Sequence, residues 1–151
     1  HIRLIFQRAR DKASEGMLLF TSDNVWADTI TNPDTHLDKT YHVQISGEVD
    51  AQRIAQIKLG VLDEEQGDHL SAKDVKILRT GEKNTWLEVV LDEGRNRHIR
   101  RLLEAFNIEV LRLVRVKIGM LVLGNLVKGQ WRELTKYEDL KSREPQAPRA
   151  T

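Results

Sequence analysis

The chain contains no cysteine. That absence excludes disulfide frameworks, thiolate zinc sites and cysteine nucleophiles together, and it is compatible with a reducing cytoplasm. Five histidines are scattered through the sequence, and no two stand four apart, the spacing that sets two metal ligands on one helical face. No protein-bound metal is expected. No apolar run approaches the roughly 18 residues of a membrane span, and no segment has the order of a secretory leader. Aromatic residues make up only 5%, too few to suggest a channel of stacked bases. Trp26, Trp86 and Trp131 are therefore read as core or edge anchors.

What is present describes one globular domain. With 151 residues, 40% hydrophobic and 31% charged, the chain is long enough to bury a core and polar enough to stay in water. Its net charge of +1 conceals a strong polarity. Residues 94–136 carry ten Lys or Arg against three acids, whereas residues 47–93 carry six against eleven.

Short β-rich runs alternate with amphipathic helical ones. Residues 16–21 read as a buried strand ended by Ser22-Asp23-Asn24. A helix over 24–31 should stop at Asn32-Pro33. Residues 40–46 alternate polar and apolar, the pattern of a half-buried strand, with Tyr41, Val43 and Ile45 on one face. Asp50 is a good cap for a helix to about residue 59. The acidic stretch 62–70 reads as a surface loop, and 75–79 with 86–91 as paired strands. A helix is predicted over 96–106, where Ile99, Leu102, Leu103 and Phe106 recur at helical spacing. Strands over 109–118 and 121–127 follow, residues 130–134 close the ordered part, and the pattern allows a short helix from Lys136. Residues 1–141 are taken as the domain and 142–151 as a flexible tail. This order suggests an α+β fold with a mostly antiparallel sheet.

The segment Glu93-Gly94-Arg95-Asn96-Arg97-His98-Ile99-Arg100-Arg101 concentrates four arginines at a helix start, where the helix dipole favours acids instead. An external anion would relieve that conflict, and Arg112, Arg115, Lys117, Lys128, Arg132 and Lys136 add to the same electrostatic footprint for nucleic acid. The alternative is a solvated charged face. Arg100 lies beside Ile99 at the margin of the core, where a guanidinium needs a carboxylate partner. Asp11, among Arg8, Arg10 and Lys12, is a candidate, and an ordinary turn residue is the competing reading. Tyr41 on its own reads as packing.

Several blocks resemble a known family, the bacterial ribosomal RNA pseudouridine synthases of the RsuA and RluB/E/F group. Asp11-Lys12-Ala13-Ser14-Glu15-Gly16-Met17-Leu18-Leu19-Phe20-Thr21 is similar to its catalytic-aspartate motif, Lys39-Thr40-Tyr41 to its second motif, and Glu93 through Arg101 to its third. Leu111-Arg112-Leu113-Val114-Arg115, Ile118-Gly119 and residues 126–134 resemble its C-terminal signature. The likeness spans roughly residues 8–135 in the family's order. Arg8-Ala9-Arg10 departs from the usual Gly-Arg-Leu before the aspartate, and His98 stands where Gln is usual.

The resemblance implies a pseudouridine synthase fold, α+β with a mixed, mostly antiparallel sheet, flanking helices and an RNA-binding cleft. It implies uridine isomerisation in ribosomal RNA, large-subunit RNA in the first instance, without organic cofactor or catalytic metal. Asp11 would be the catalytic carboxylate, Tyr41 would stack on the flipped uracil, and Arg100 would pair with Asp11. Arg95, Arg97, Arg101, Arg112, Arg115 and Lys117 would contact RNA, and Leu113 or Val114 would form pocket wall. The expected partner is ribosomal RNA or a ribosome assembly intermediate, with no membrane and a monomeric protein. A small-subunit target and a non-catalytic RNA-binding module are the alternatives. The S4 domain that many members carry at the N-terminus is absent from these 151 residues, so target selection is expected to be incomplete in this stretch.

Overall fold

The computed structural model describes residues 2–8, 14–95 and 97–144. Strands β1 (Ile2–Arg8) and β2 (Glu15–Thr21) are followed by helix α1 (Asn24–Thr31), strand β3 (Lys39–Ser46) and helix α2 (Ala51–Leu59). Short strands β4 (Val61–Asp63) and β5 (Asp68–Leu70) precede the longer β6 (Asp74–Thr80) and β7 (Asn84–Leu91). Helix α3 (His98–Glu104), strands β8 (Val110–Ile118), β9 (Leu121–Val122) and β10 (Trp131–Glu133), and helix α4 (Lys136–Ser142) complete the order.

One sheet runs β10-β1-β2-β8-β3-β7-β6, with β9 added to β8. Its pairings are antiparallel except at β2 and β8, which meet in parallel over Glu15↔Val114 and Gly16↔Arg115. The mixed, mostly antiparallel α+β architecture expected from the sequence is therefore present. Alternation along the strands splits the core into two layers. Val43, Ile45, Leu87 and Leu113 pack with Ile57 of α2 and Leu102 and Leu103 of α3 on one face. Leu4, Met17, Val114 and Ile118 pack with Trp26 and Ile30 of α1 on the other.

Local chemistry explains most boundaries. The Asp23 carboxylate accepts from the Trp26 amide at 3.0 Å and starts α1. Asn32 ends it in an extended conformation, which a residue before proline prefers. Asp50 caps α2 through the Arg53 amide at 2.8 Å, and Thr135 with Glu138 forms a reciprocal capping box on α4.

Four expectations are corrected. Residues 62–70 form most of the β4–β5 hairpin rather than a loop, because the Asp63 carboxylate accepts from the Glu65 and Gln66 amides and pins the turn. Helix α3 begins at His98, since Arg97 adopts a left-handed conformation with φ 49° that no helix continues through. The second C-terminal strand is only the two residues of β9. The folded part also runs past residue 141. The buried Ser142 hydroxyl accepts from Trp26 Nε1 at 2.8 Å, and Arg143 pairs with Asp23 at 3.0 Å. Of the three tryptophans, Trp26 is core, while Trp86 and Trp131 lie under the guanidinium groups of Arg79 and Arg3.

Candidate active site

A cleft of about 370 Å³ opens beside the β2–β8 junction, on the sheet face that carries α3. Gly16 and Leu18 of β2, Tyr41 of β3, and Leu113 and Arg115 of β8 line it from the sheet. Arg95, Arg97 and Arg100 line it from α3 and the loop before it. Gln7 and Ser14 also border the cleft. These two residues flank the segment that carries Asp11, and β1 and β2 are paired as far as Arg8↔Glu15. Asp11 itself lies outside the described residues, and so does the expected Asp11–Arg100 pair.

Gly16 makes the junction possible. Its φ is +122°, and a Cβ built there would lie 2.3 Å from the Arg115 carbonyl oxygen, so only glycine allows the two backbones to approach. Arg115 crosses the same seam, donating from Nε and Nη2 to the Met17 carbonyl at 3.1 and 2.6 Å. Its guanidinium is thus fixed in direction at the cleft. Burial, reinforced by the nearby Arg115 charge, pushes the Lys39 ammonium below its ordinary pKa. Tyr41 is half-buried, and the ladder between β3 and β8 shifts register between Thr40 and Tyr41. Such an irregularity re-aims a side chain locally.

The expected RNA-contacting residues divide. Arg95 and Arg97 are exposed on the rim, with Arg95 only 3.8 Å from Glu93 as a loose ion pair. Arg100 is half-buried in the cleft wall. Lys117 is exposed and does not line the cleft. Arg112 is clasped, together with Lys128, by Glu15. Burial alone would raise the Glu15 pKa, but hydrogen bonds from Lys128 and Arg112 bring it below the usual value.

Arg101 is the clear correction. Its side chain is 9% exposed and turns away from the cleft toward the β4–β5 hairpin, where it bonds Asp68 and, at 2.8 Å, Asp63. It is a structural cation, because the hairpin presents both carboxylates to it. Val114 is likewise corrected. Strand alternation sends it to the α1 side of the sheet, and Leu113 alone of the two forms cleft wall.

Arg101→Met should lower Tm at neutral pH, since it strands two carboxylates. Hydrogen bonds from Arg101 hold the Asp63 carboxyl below its usual range. A depressed acid stabilises the fold above the unfolded pKa and loses that effect as pH falls through the folded one. The Tm gap between wild type and variant should therefore narrow below about pH 4, as calorimetry across pH would show.

Sequence reasoning missed Glu15, Gly16 and His98. His98 is 4% exposed and is hydrogen-bonded at both ring nitrogens, to Ser71 and Arg95. Its position one turn before Leu102, on the inward face of α3, was the available signal.

A mixed sheet with its helices placed in this way, and a cationic cleft at its parallel seam, has the architecture of a pseudouridine synthase. The family model described as RNA pseudouridylate synthase matches residues 8–105. The chain belongs to the RNA pseudouridylate synthase family, within its RsuA and RluB/E group. It is 37% identical over 128 residues to an uncharacterized RNA pseudouridine synthase of Aquifex aeolicus (strain VF5), a match covering 85% of this chain and 51% of that one. It is 33% identical over 138 residues to the ribosomal large subunit pseudouridine synthase E of Vibrio parahaemolyticus, covering 82% and 57%. The chain thus spans about half the length of these curated relatives. A crystal structure of a pseudouridylate synthase superposes with a TM-score of 0.77 over 93% of this chain and 73% of that chain, at 24% identity, a likeness of fold.

Proposed function

We propose that this chain converts uridine to pseudouridine in ribosomal RNA, with the large-subunit RNA as its target. The observation that carries the reading is the convergence of Tyr41, Arg100 and Arg115 in one cleft bordered by Gln7 and Ser14, the described residues on either side of the Asp11 segment. Relatives named as large-subunit synthases B and E support the choice of RNA.

The isomerisation breaks the bond from ribose C1′ to uracil N1 and forms one from C1′ to C5. The C5 proton leaves and N1 gains one, so there is no net change in atoms or oxidation state. The chemistry calls for a carboxylate at the sugar, a surface that holds the detached base, and a group that takes the C5 proton. Asp11 is assigned the first role, with the Arg100 guanidinium keeping it ionised and oriented. Tyr41 is assigned the second and borders the base for the third. Extruding the uridine from folded RNA costs a few kcal/mol, offset by phosphate contacts from Arg95 and Arg97 and by stacking in the cleft.

Ribosomal RNA labelled with tritium at uridine C5 tests this directly. Incubation with the protein should release tritium and leave pseudouridine at a discrete position. RNA binding without any release would instead support a non-catalytic RNA-binding module.

A further inference from the structure

His98 is nearly buried at the first position of α3. Its Nε2 lies 2.7 Å from the Ser71 carbonyl oxygen, which can only accept, so Nε2 carries the proton. Nδ1 is then an acceptor, and the Arg95 backbone N–H donates to it at 3.3 Å. The Arg95 carbonyl in turn accepts from the His98 amide at 3.1 Å, closing a small ring between loop and helix. Arg97, between them, sits in the left-handed conformation with no side-chain cap. Among the described residues, these are the hydrogen bonds of the Arg95 backbone.

We propose that His98 is a positioning residue, linking the Arg95 backbone to the Ser71 carbonyl so that Arg95 and Arg97 are held over the cleft to meet RNA phosphates. The RNA part of this inference rests on the function proposed above. It also makes the loop acid-sensitive. A protonated imidazole has no acceptor for the Arg95 N–H, so the link breaks on its loop side. The charged groups around the ring are Glu93, which favours protonation, and Arg95 and Arg101, which oppose it; Asp63 and Asp68 are engaged by Arg101. Burial is the largest influence and favours the neutral ring; the Ser71 hydrogen bond and Glu93 act the other way. The link is therefore intact at neutral pH and is lost as pH falls below the ordinary histidine value of about 6.5.

Three measurements on the whole chain test this. Long-range ¹⁵N spectra of the imidazole should show the Nε2–H tautomer; the Nδ1–H tautomer would overturn the proposal. Exchange of the Arg95 amide, corrected for its intrinsic pH dependence, should be slow at pH 7.5 and rise at low pH in wild type. In H98L it should be fast at both. Affinity for a labelled RNA hairpin with an unpaired loop uridine should fall roughly tenfold in H98L, the loss expected for one hydrogen bond that orders a binding group. H98L that folds, binds RNA as tightly as wild type and protects Arg95 equally would also overturn it. If H98L does not fold, the tautomer and the pH course of Arg95 exchange in wild type decide. A wild-type protein that binds no RNA would defeat the proposed function, and the exchange and tautomer measurements would still judge the link itself.

Discussion

Asp11→Asn should reduce pseudouridine formation by on the order of 10³-fold or more, the scale seen when a group that acts directly on the reacting centre is removed. The substitution keeps size and hydrogen-bonding shape while removing the charge. RNA affinity should stay within about twofold, because the phosphate contacts assigned to Arg95 and Arg97 are untouched. Single-turnover tritium release, read beside filter binding of the same RNA, separates the two effects. Wild-type turnover in this variant would defeat the assignment of Asp11. A loss of binding equal to the loss of turnover would show that the carboxylate acts in folding or docking rather than in the chemical step.

Gly16→Ala should be strongly destabilising for a single added methyl. The added carbon meets the Arg115 carbonyl oxygen, backbone that cannot swing aside, and the φ of +122° is itself strained for any L side chain. Strain and overpacking each cost roughly 1–3 kcal/mol, which for a domain of this size corresponds to a fall in Tm of up to about 10–20 °C. Among the described residues the seam between β2 and β8 has two registered pairs, and Gly16↔Arg115 is one of them. Separation there also moves Arg115 and widens the cleft, so turnover should drop even at temperatures where the variant remains folded. Thermal melts and tritium release at room temperature would check both; a variant with wild-type Tm would contradict the described approach of the two strands.

Elements defined by neighbours in sequence are legible from the residues alone. Helix α2 follows from Asp50, the end of α1 from Asn32-Pro33, and β3 from alternation. The features that escape such reading depend on partners distant in the chain. Arg101 and the hairpin acids are 33 to 38 residues apart, and Glu15 gathers Arg112 and Lys128 from 97 and 113 residues away. Composition counts all of these cations as available to RNA, whereas pairing removes some of them from the surface. Leu113 and Val114 show the same limit on a smaller scale. Alternation puts them on opposite faces, but only the pairing of β8 with β2 and β3 decides which face borders the cleft. The motif resemblance brings Tyr41 and Arg100 forward together, and both line one cleft. It carries no information about the two hydrogen bonds of His98, one of which depends on the position of Ser71, 27 residues away.

Strand β1, which leads into the Asp11 segment, is bonded on one side to β2 and on the other to β10 through Arg3↔Glu133, Leu4↔Arg132 and Ile5↔Trp131. A chain is made from its N-terminus at about 5–20 residues per second. β1 therefore waits on the ribosome with one edge unfilled until β10, made after every other strand of the sheet, has emerged. The frame around the proposed catalytic segment is closed only after the strands between β1 and β10 have been made, so an enzyme whose proposed substrate is the ribosome's own RNA would leave the ribosome's exit with that frame still open.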